Sequence, residues 1–123
     1  MNNKSRKILI VDAELGIRES LNLILSDIYN LILVDSGTQA LEIIDNCKDL
    51  GLVLLDIKMP QVNGLEVLAS IKEKRPNLKV IIITGYKSIE TASEATTLGA
   101  SGYIVKPFRS DEILEKVKKN FVC

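Results

Sequence analysis

Apolar residues stand in short continuous runs along the chain. Three runs of branched aliphatic residues are bounded by polar or turn residues, and two shorter runs have the same character. Such runs are typical of strands buried on both faces, as in a parallel sheet that is covered by helices. The pattern therefore predicts five strands, at residues 8–11, 31–34, 52–55, 80–83 and 103–105.

Helical periodicity appears between these runs. Leu21 and Leu25 share one face of the first helical segment, and Ser36 with the glutamine three residues later forms a predicted capping box for the second. Ser110 is the predicted N-cap of the last segment. The fourth segment, about residues 88–98, has only a thin apolar stripe and gains little from burial. Five helices are therefore predicted to alternate with five strands.

This strict alternation predicts the fold class. Short connections between strands and helices imply right-handed crossovers and a parallel sheet with helices on both faces. We expect a doubly wound α/β fold, formed as one domain over residues 1–123. In such sheets ligands bind beyond the carboxyl ends of the strands, where the strand order reverses.

Composition narrows the classes of partner. Sixteen basic and sixteen acidic residues leave a formal net charge of zero, so we expect no direct binding of nucleic acid by this domain. Cys47 and Cys123 match no metal-ligand or redox spacing, which fits reduced thiols. The polar opening of the chain and the short run at residues 8–11 do not fit a signal peptide or a membrane span. We expect a cytoplasmic protein without membrane contact.

Polar residues directly follow four of the predicted strands: Asp12, Asp56, Thr84 and Lys106. All four should project from one edge of the sheet. Carboxylates suit Mg²⁺, whereas a hydroxyl and an ammonium suit phosphate oxygens. Each residue alone has a structural interpretation, such as a helix cap for Asp12. Their equivalent positions favour phosphoryl transfer, in which a carboxylate nucleophile would form an acyl phosphate.

Four segments of the chain resemble the receiver domains of bacterial two-component response regulators. They are ILIVD at 8–12, LLDIKMP at 54–60 with NGLE at 63–66, IITGY at 82–86, and GASGYIVKPF at 99–108. The resemblance covers nearly the whole chain. It implies a flavodoxin-like sheet of order 2-1-3-4-5 with five helices, and a phosphorylation-dependent switch of a phosphorelay, not an enzyme.

The resemblance implies roles for the matched residues at the site. Asp56 would accept a phosphoryl group from a phosphohistidine on a sensor histidine kinase or a histidine phosphotransfer protein. Asp12, Asp56 and the backbone carbonyl of Lys58 would hold Mg²⁺. Lys106 would pair with the phosphoryl group, and its bond to the following proline would be cis.

The resemblance also implies a switch. Thr84 would move to hydrogen-bond the phosphoryl group, and Tyr103 would turn inward as Thr84 leaves its path. The surface of the fourth helix, fifth strand and fifth helix would then rearrange, and a downstream output domain or protein that the sequence does not name would respond. Lys58 and Tyr86 flank the site, where they would tune the lifetime of the acyl phosphate.

The chain departs from the family at one site position. The family has a second acid after the first strand, where this chain has Ala13. Because ligand charge sets the affinity for hard cations, the loss predicts weaker Mg²⁺ binding. Glu14 is displaced by one residue, and we interpret it as an acid in the first helical turn, where the helix dipole favours it.

Several interpretations stay open at this point. The chain is a receiver with weak Mg²⁺ dependence, a degenerate receiver that acts by protein binding alone, or a receiver altered at position 13; intact Asp56, Thr84 and Lys106 favour retained phosphoacceptance. A haloacid-dehalogenase-like phosphatase with Asp12 as nucleophile gives no account of the Asp56 loop. A flavin-binding domain lacks the Ser/Thr/Gly-rich phosphate cradle after the first strand.

Overall fold

Five strands alternate with five helices along the chain, as predicted. The structure, a computed structural model, describes residues 6–60 and 62–121, so Cys123 lies outside the described residues. The elements in chain order are β1 (Lys7–Val11), α1 (Leu15–Leu25), β2 (Asn30–Val34), α2 (Gly37–Asn46), β3 (Leu50–Leu55), α3 (Gly64–Lys74), β4 (Val80–Thr84), α4 (Ile89–Thr97), β5 (Gly102–Val105) and α5 (Ser110–Asn120).

The strands form one parallel sheet of order β2-β1-β3-β4-β5. This confirms the doubly wound fold predicted from the alternation and the order implied by the resemblance. The order reverses between β1 and β3, because the chain first moves outward to β2 and then returns to the other side of β1. The carboxyl ends of β1 and β3 therefore meet at the place where such folds bind ligands.

Two apolar layers cover the sheet. Leu9 and Val53 belong to the cluster that packs under α2, α3 and α4, whereas Ile8 and Leu52 belong to the cluster under α1 and α5. Alternate residues of a strand point to opposite faces, so β3 and β4 supply both clusters and are buried throughout. Full burial of such a side chain stabilises the fold by about 1.5–3 kcal/mol. The layers hold the strand ends, and thus the site, in place.

Of the two helix N-caps predicted from the sequence, the structure contains the one at Ser36 and not the one at Ser110. The Ser36 side chain accepts from the Gln39 N–H at 3.2 Å, as predicted, but the Gln39 side chain accepts from the Asp35 N–H at 3.1 Å instead of closing the box on Ser36. The prediction of Ser110 as an N-cap is wrong. Arg109 caps α5 without a side-chain hydrogen bond, and Ser110 is already helical, so the extended backbone ends one residue earlier than the hydroxyl suggested.

The fourth helix is as thinly packed as its sequence predicts. Ala95 is its one fully buried residue, while the Ile89 side chain is 86% exposed. Ser88 caps it by accepting from the backbone N–H groups of Glu90 and Thr91. The Lys106–Pro107 peptide is cis, as the resemblance implied. Among the described residues, no helix has the length and apolar character needed to cross a membrane.

Candidate functional site

The predicted site residues lie together at the carboxyl edge of the sheet. The Asp56 N–H donates to the Val11 carbonyl at 2.9 Å, and the Lys106 N–H donates to the Thr84 carbonyl at 2.8 Å. The backbone hydrogen bonds of the sheet thus extend to the predicted site residues and fix their positions. Asp12, Asp56 and Lys106 are in direct contact, and Thr84 is fully buried at the end of β4.

The Asp56 carboxylate is held at both oxygens. Its Oδ1 accepts from the Lys58 backbone N–H at 2.9 Å, and its Oδ2 accepts from Lys106 Nζ at 2.9 Å. Only 3% of the residue is exposed. A buried carboxylate with two charge-assisted partners has a defined orientation, which is what a nucleophile requires.

Lys106 joins three carboxylates. Its Nζ lies 2.9 Å from Asp12 Oδ2, 2.9 Å from Asp56 Oδ2 and 3.1 Å from Glu14 Oε1. Burial alone would lower the pKa of Lys106, but its hydrogen bonds to Asp12 and Asp56 outweigh burial and raise that pKa above its usual range. The ammonium therefore stays charged at neutral pH.

Asp12 is also buried, with 2% of the residue exposed. Burial raises its pKa above the ordinary 3.8, although the Glu14 N–H and Lys106 both donate to the carboxylate and oppose the rise. Asp12 does not cap α1; its Oδ1 accepts from the Glu14 N–H at 2.9 Å in the turn before the helix. Arg18, which the sequence did not single out, donates from Nη1 to the Asp12 carbonyl at 2.7 Å.

Glu14 lies at the site, and its interpretation as an acid of the first helical turn is wrong. It is the N-cap of α1, with extended backbone at φ −90° and ψ 119°, and the helix begins only at Leu15. From there its carboxylate reaches Lys106, as described above. In extended backbone, residues two apart point the same way, so a later helix start would have predicted that Glu14 accompanies Asp12.

The site contains a donor set for a hard cation. One carboxylate oxygen from each of Asp12, Glu14 and Asp56 can be chosen so that all lie within 4.8 Å of one another. Mg²⁺ is bound by carboxylates with the remaining positions taken by water and carbonyl groups. The residues present therefore fit the ion that the sequence suggested, with Glu14 as a third carboxylate in a site where position 13 is Ala.

Thr84 and Tyr103 both bond to Tyr86 in the loop after β4. The Tyr86 N–H donates to Thr84 Oγ1 at 3.5 Å, and the Tyr103 hydroxyl donates to the Tyr86 carbonyl at 2.9 Å. Burial raises the pKa of the Tyr103 hydroxyl, which remains a donor at neutral pH. The predicted movements of Thr84 and Tyr103 stay predictions.

Lys58 and Tyr86, expected to flank the site, are in contact with each other. The Lys58 ammonium lies 5.5 Å from the centroid of the Tyr86 ring, within the range of a cation–π interaction. The two side chains come from the loops that follow Asp56 and Thr84. Their contact therefore joins the β3–α3 loop to the β4–α4 loop beside Asp56.

The comparisons with known proteins agree with this geometry. A family model described as "Response regulator receiver domain" matches residues 8–118. The chain is 40% identical over 116 residues to sporulation initiation phosphotransferase F of Bacillus subtilis, covering 94% of this chain and 93% of that protein. It is 36% identical over 120 residues to the transcriptional regulatory protein ZraR of Escherichia coli, where it covers 97% of this chain but 27% of the relative.

A solved structure has the same fold. It is the response regulator protein TrrA from Thermotoga maritima in complex with Mg(2+)-BeF, with 38% sequence identity and a TM-score of 0.84. The match covers 94% of this chain and 99% of that chain. The chain thus has the length of some of its relatives and about a quarter of the length of others, such as ZraR.

Proposed function

Because the chain belongs to the response regulator receiver domain family, whose members are phosphorylation-dependent switches of two-component systems, we propose that Asp56 accepts the phosphoryl group. The observation that carries the proposal is the orientation of its carboxylate. One oxygen is held by the Lys58 backbone N–H and the other by the Lys106 ammonium, in a buried position at the switch point of the sheet.

The transfer forms one bond and breaks another. A carboxylate oxygen of Asp56 attacks the phosphorus of a phosphohistidine, the P–N bond breaks, and the leaving imidazole nitrogen takes a proton from solvent. Asp56 becomes an acyl phosphate. Lys106 stabilises the negative charge on the transferred oxygens, since its ammonium already contacts Asp56. The Thr84 hydroxyl would donate to one of those oxygens.

Asp12, Glu14 and Asp56, with the backbone carbonyl of Lys58, are the residues that would hold Mg²⁺. When bound, the ion would neutralise charge on the phosphoryl oxygens. The three clustered carboxylates support this assignment, as does the relative TrrA, which is described in complex with Mg(2+)-BeF. Glu14 would supply a carboxylate in place of the acid that is missing at position 13. We therefore expect Ala13 to weaken Mg²⁺ binding less than the sequence alone predicts.

The partners follow from the chemistry of the acceptor. A sensor histidine kinase or a histidine phosphotransfer protein would supply the phosphoryl group, and the surface of α4, β5 and α5 would signal to an output domain or protein. We propose that residues 1–123 work as a receiver domain in the cytoplasm, as a switch without turnover of its own. The phosphatase and flavin interpretations gain no support from the family match over residues 8–118.

Intact-mass spectrometry with acetyl phosphate and Mg²⁺ tests the proposal. The expected result is the gain of one phosphoryl group, absent in Asp56→Asn. Asp27→Asn serves as a control, because it makes the same chemical change at an exposed position outside the carboxylate cluster and should still gain the phosphoryl group. An adduct that persists in Asp56→Asn would contradict the assignment. If the chain gains no phosphoryl group but Ala13→Asp does, the receiver is inactive as it stands.

A further inference from the structure

Gly64, the first residue of α3, lies directly against the backbone of Ile57. A β-carbon at position 64 would lie 2.2 Å from Ile57 Cα, 2.6 Å from the Ile57 carbonyl oxygen and 2.7 Å from its carbonyl carbon. Non-bonded carbon atoms prefer a separation of about 3.5–4.0 Å. Backbone cannot rotate away as a flexible side chain does, so any side chain at position 64 must push the peptide between Ile57 and Lys58.

That peptide also orients the proposed acceptor. The carbonyl of Ile57 and the N–H of Lys58 belong to one planar unit, so displacing the first turns the second. The Lys58 N–H is the donor to Asp56 Oδ1, at 2.9 Å. A shifted peptide would leave Oδ1 without this partner, and the buried carboxylate would be free to rotate about its other contact, Lys106.

The surroundings leave few ways to absorb such a displacement. The Ile57 side chain is 5% exposed and belongs to the core layer under α2 and α3. At the other end of the loop, an antiparallel bridge joins Lys58 to Asn63, and the Asn63 side chain accepts from the Leu65 N–H at 2.9 Å. Both ends of the loop are therefore anchored, and the strain falls on the peptide that contacts Asp56.

We propose that Gly64 is a positioning residue for phosphoryl acceptance. Its missing side chain lets α3 start against the Ile57–Lys58 peptide, and that contact keeps the Asp56 carboxylate in the orientation that receives the phosphoryl group. The inference rests on the proposed function of Asp56. It assigns to Gly64 an effect on the rate of phosphorylation that is separable from its effect on stability.

Gly64→Ala and a matched control, Gly37→Ala, test the proposal. A β-carbon at Gly37 would lie 2.8 Å from Val67 Cγ2 and 3.2 Å from Val62 Cγ2, which is also tight, but it would meet side-chain methyl groups and not the backbone of the acceptor loop. Both variants are made in a Gly16→Ala background, because Gly16 lies in α1 with nothing within 4 Å of its β-carbon position and Ala stabilises a helix. The phosphorylation rate with acetyl phosphate and the ¹H–¹⁵N shift of the Lys58 amide are measured.

Relative to the Gly16→Ala background, Gly64→Ala is expected to slow phosphorylation by about tenfold or more and to move the Lys58 amide proton upfield. Gly37→Ala is expected to change the phosphorylation rate by no more than about twofold and to leave the Lys58 amide shift unchanged. Equal rates in the two variants, or an unmoved Lys58 amide, would overturn the proposal. Failure of Gly64→Ala to fold in this background would also overturn it, since the effect would not be confined to the acceptor loop.

Measurements on the wild-type domain distinguish a failure of the Gly64 proposal from a failure of the proposed function. In the wild type, the Lys58 amide proton should lie downfield and move upfield in Asp56→Ala, because a carboxylate acceptor is lost. If the wild type gains no phosphoryl group, the proposed function fails. The Lys58 amide shift in Gly64→Ala still shows whether Gly64 positions Asp56. An unchanged shift in that variant would refute the positioning role by itself.

Discussion

The buried Asp12 carboxylate lowers the stability of the folded domain when it is ionised. A carboxylate whose pKa is raised by burial binds its proton more tightly in the folded state than in the unfolded state. The stabilising contribution is fully present below the ordinary pKa of 3.8 and is lost as the pH rises through the folded pKa. As the pH rises toward neutrality, ionisation of Asp12 therefore lowers the free energy of unfolding.

Asp12→Asn should consequently gain stability relative to the wild type as the pH rises. The amide does not ionise, so it escapes the cost of a buried charge, although it loses part of the pairing with Lys106. Urea unfolding between about pH 4 and pH 8 checks the direction. Asp27→Asn, at an exposed position, controls for the chemical change. A difference in unfolding free energy that falls with rising pH would contradict the expectation.

Glu14 is the exposed member of the carboxylate cluster that we propose holds Mg²⁺. Glu14→Gln should weaken Mg²⁺ binding by about tenfold, or 1.4 kcal/mol, because it removes one of three clustered carboxylates. Isothermal titration with Mg²⁺ measures the affinity. Glu19→Gln is the matched control, an exposed acid of α1 outside the cluster. Equal affinities in Glu14→Gln and Glu19→Gln would exclude Glu14 as a ligand.

Sequence reasoning found the residues that strands position and missed those that loops position. Asp12, Asp56, Thr84 and Lys106 follow strands, and parallel strands bring their ends to one edge whatever the details of the loops. Glu14 depends on the residue at which α1 begins, which helix propensity defines only within a residue or two. Arg18 contacts a backbone carbonyl, a partner that no side-chain pattern indicates.

At the scale of elements, α4 differs from its neighbours in how little it buries. Two isoleucines give a matched comparison: Ile71 of α3 is fully buried, and Ile89 of α4 is 86% exposed. Ile71→Ala should cost about 2–5 kcal/mol, since it leaves a cavity in the core. Ile89→Ala should stay within about 0.5 kcal/mol.

Chemical denaturation of the two variants measures both effects. A cost for Ile89→Ala similar to that for Ile71→Ala would show that α4 packs more tightly in solution than its buried residues indicate. The expected contrast fits an element that can shift at low cost, since local stability follows buried apolar contact.

Element boundaries were less predictable than element types. The run at residues 52–55 identified β3, but the strand starts at Leu50, because Lys7 pairs with it across a register shift at the start of β1. A glycine at position 51 hid this extension from a pattern based on apolar side chains. Pairing between distant segments, and not local propensity, sets where such a strand begins.

At the scale of the whole molecule, Tyr86 links the acceptor edge to α4 and β5. Tyr103→Phe should leave phosphorylation within about twofold of the wild type, because the hydroxyl contacts Tyr86 and not Asp56. The amide shift changes that phosphorylation causes in α4 should shrink, since one bond between β5 and the β4–α4 loop is lost. Two-dimensional NMR with and without acetyl phosphate measures both effects.

A pattern of shift changes identical to the wild type would contradict this role of the Tyr103 hydroxyl. The strand order that makes such a link possible was not available from periodicity, which is local. It was implied by the resemblance alone, because the choice of neighbours in a sheet depends on contacts between segments far apart in the chain.

The cluster around Lys106 has a consequence for the encounter with phosphodonors. Three ionised carboxylates and one ammonium leave a formal charge of −2 in a domain whose net charge is zero. Phosphorylated donors are themselves anions, so they are repelled over the Debye length, about 8 Å at physiological ionic strength. In the absence of Mg²⁺, added inert salt should therefore accelerate phosphorylation by acetyl phosphate. A bound Mg²⁺ would cancel the local charge of −2, so the ion proposed for this site would also remove the repulsion of the anionic donor.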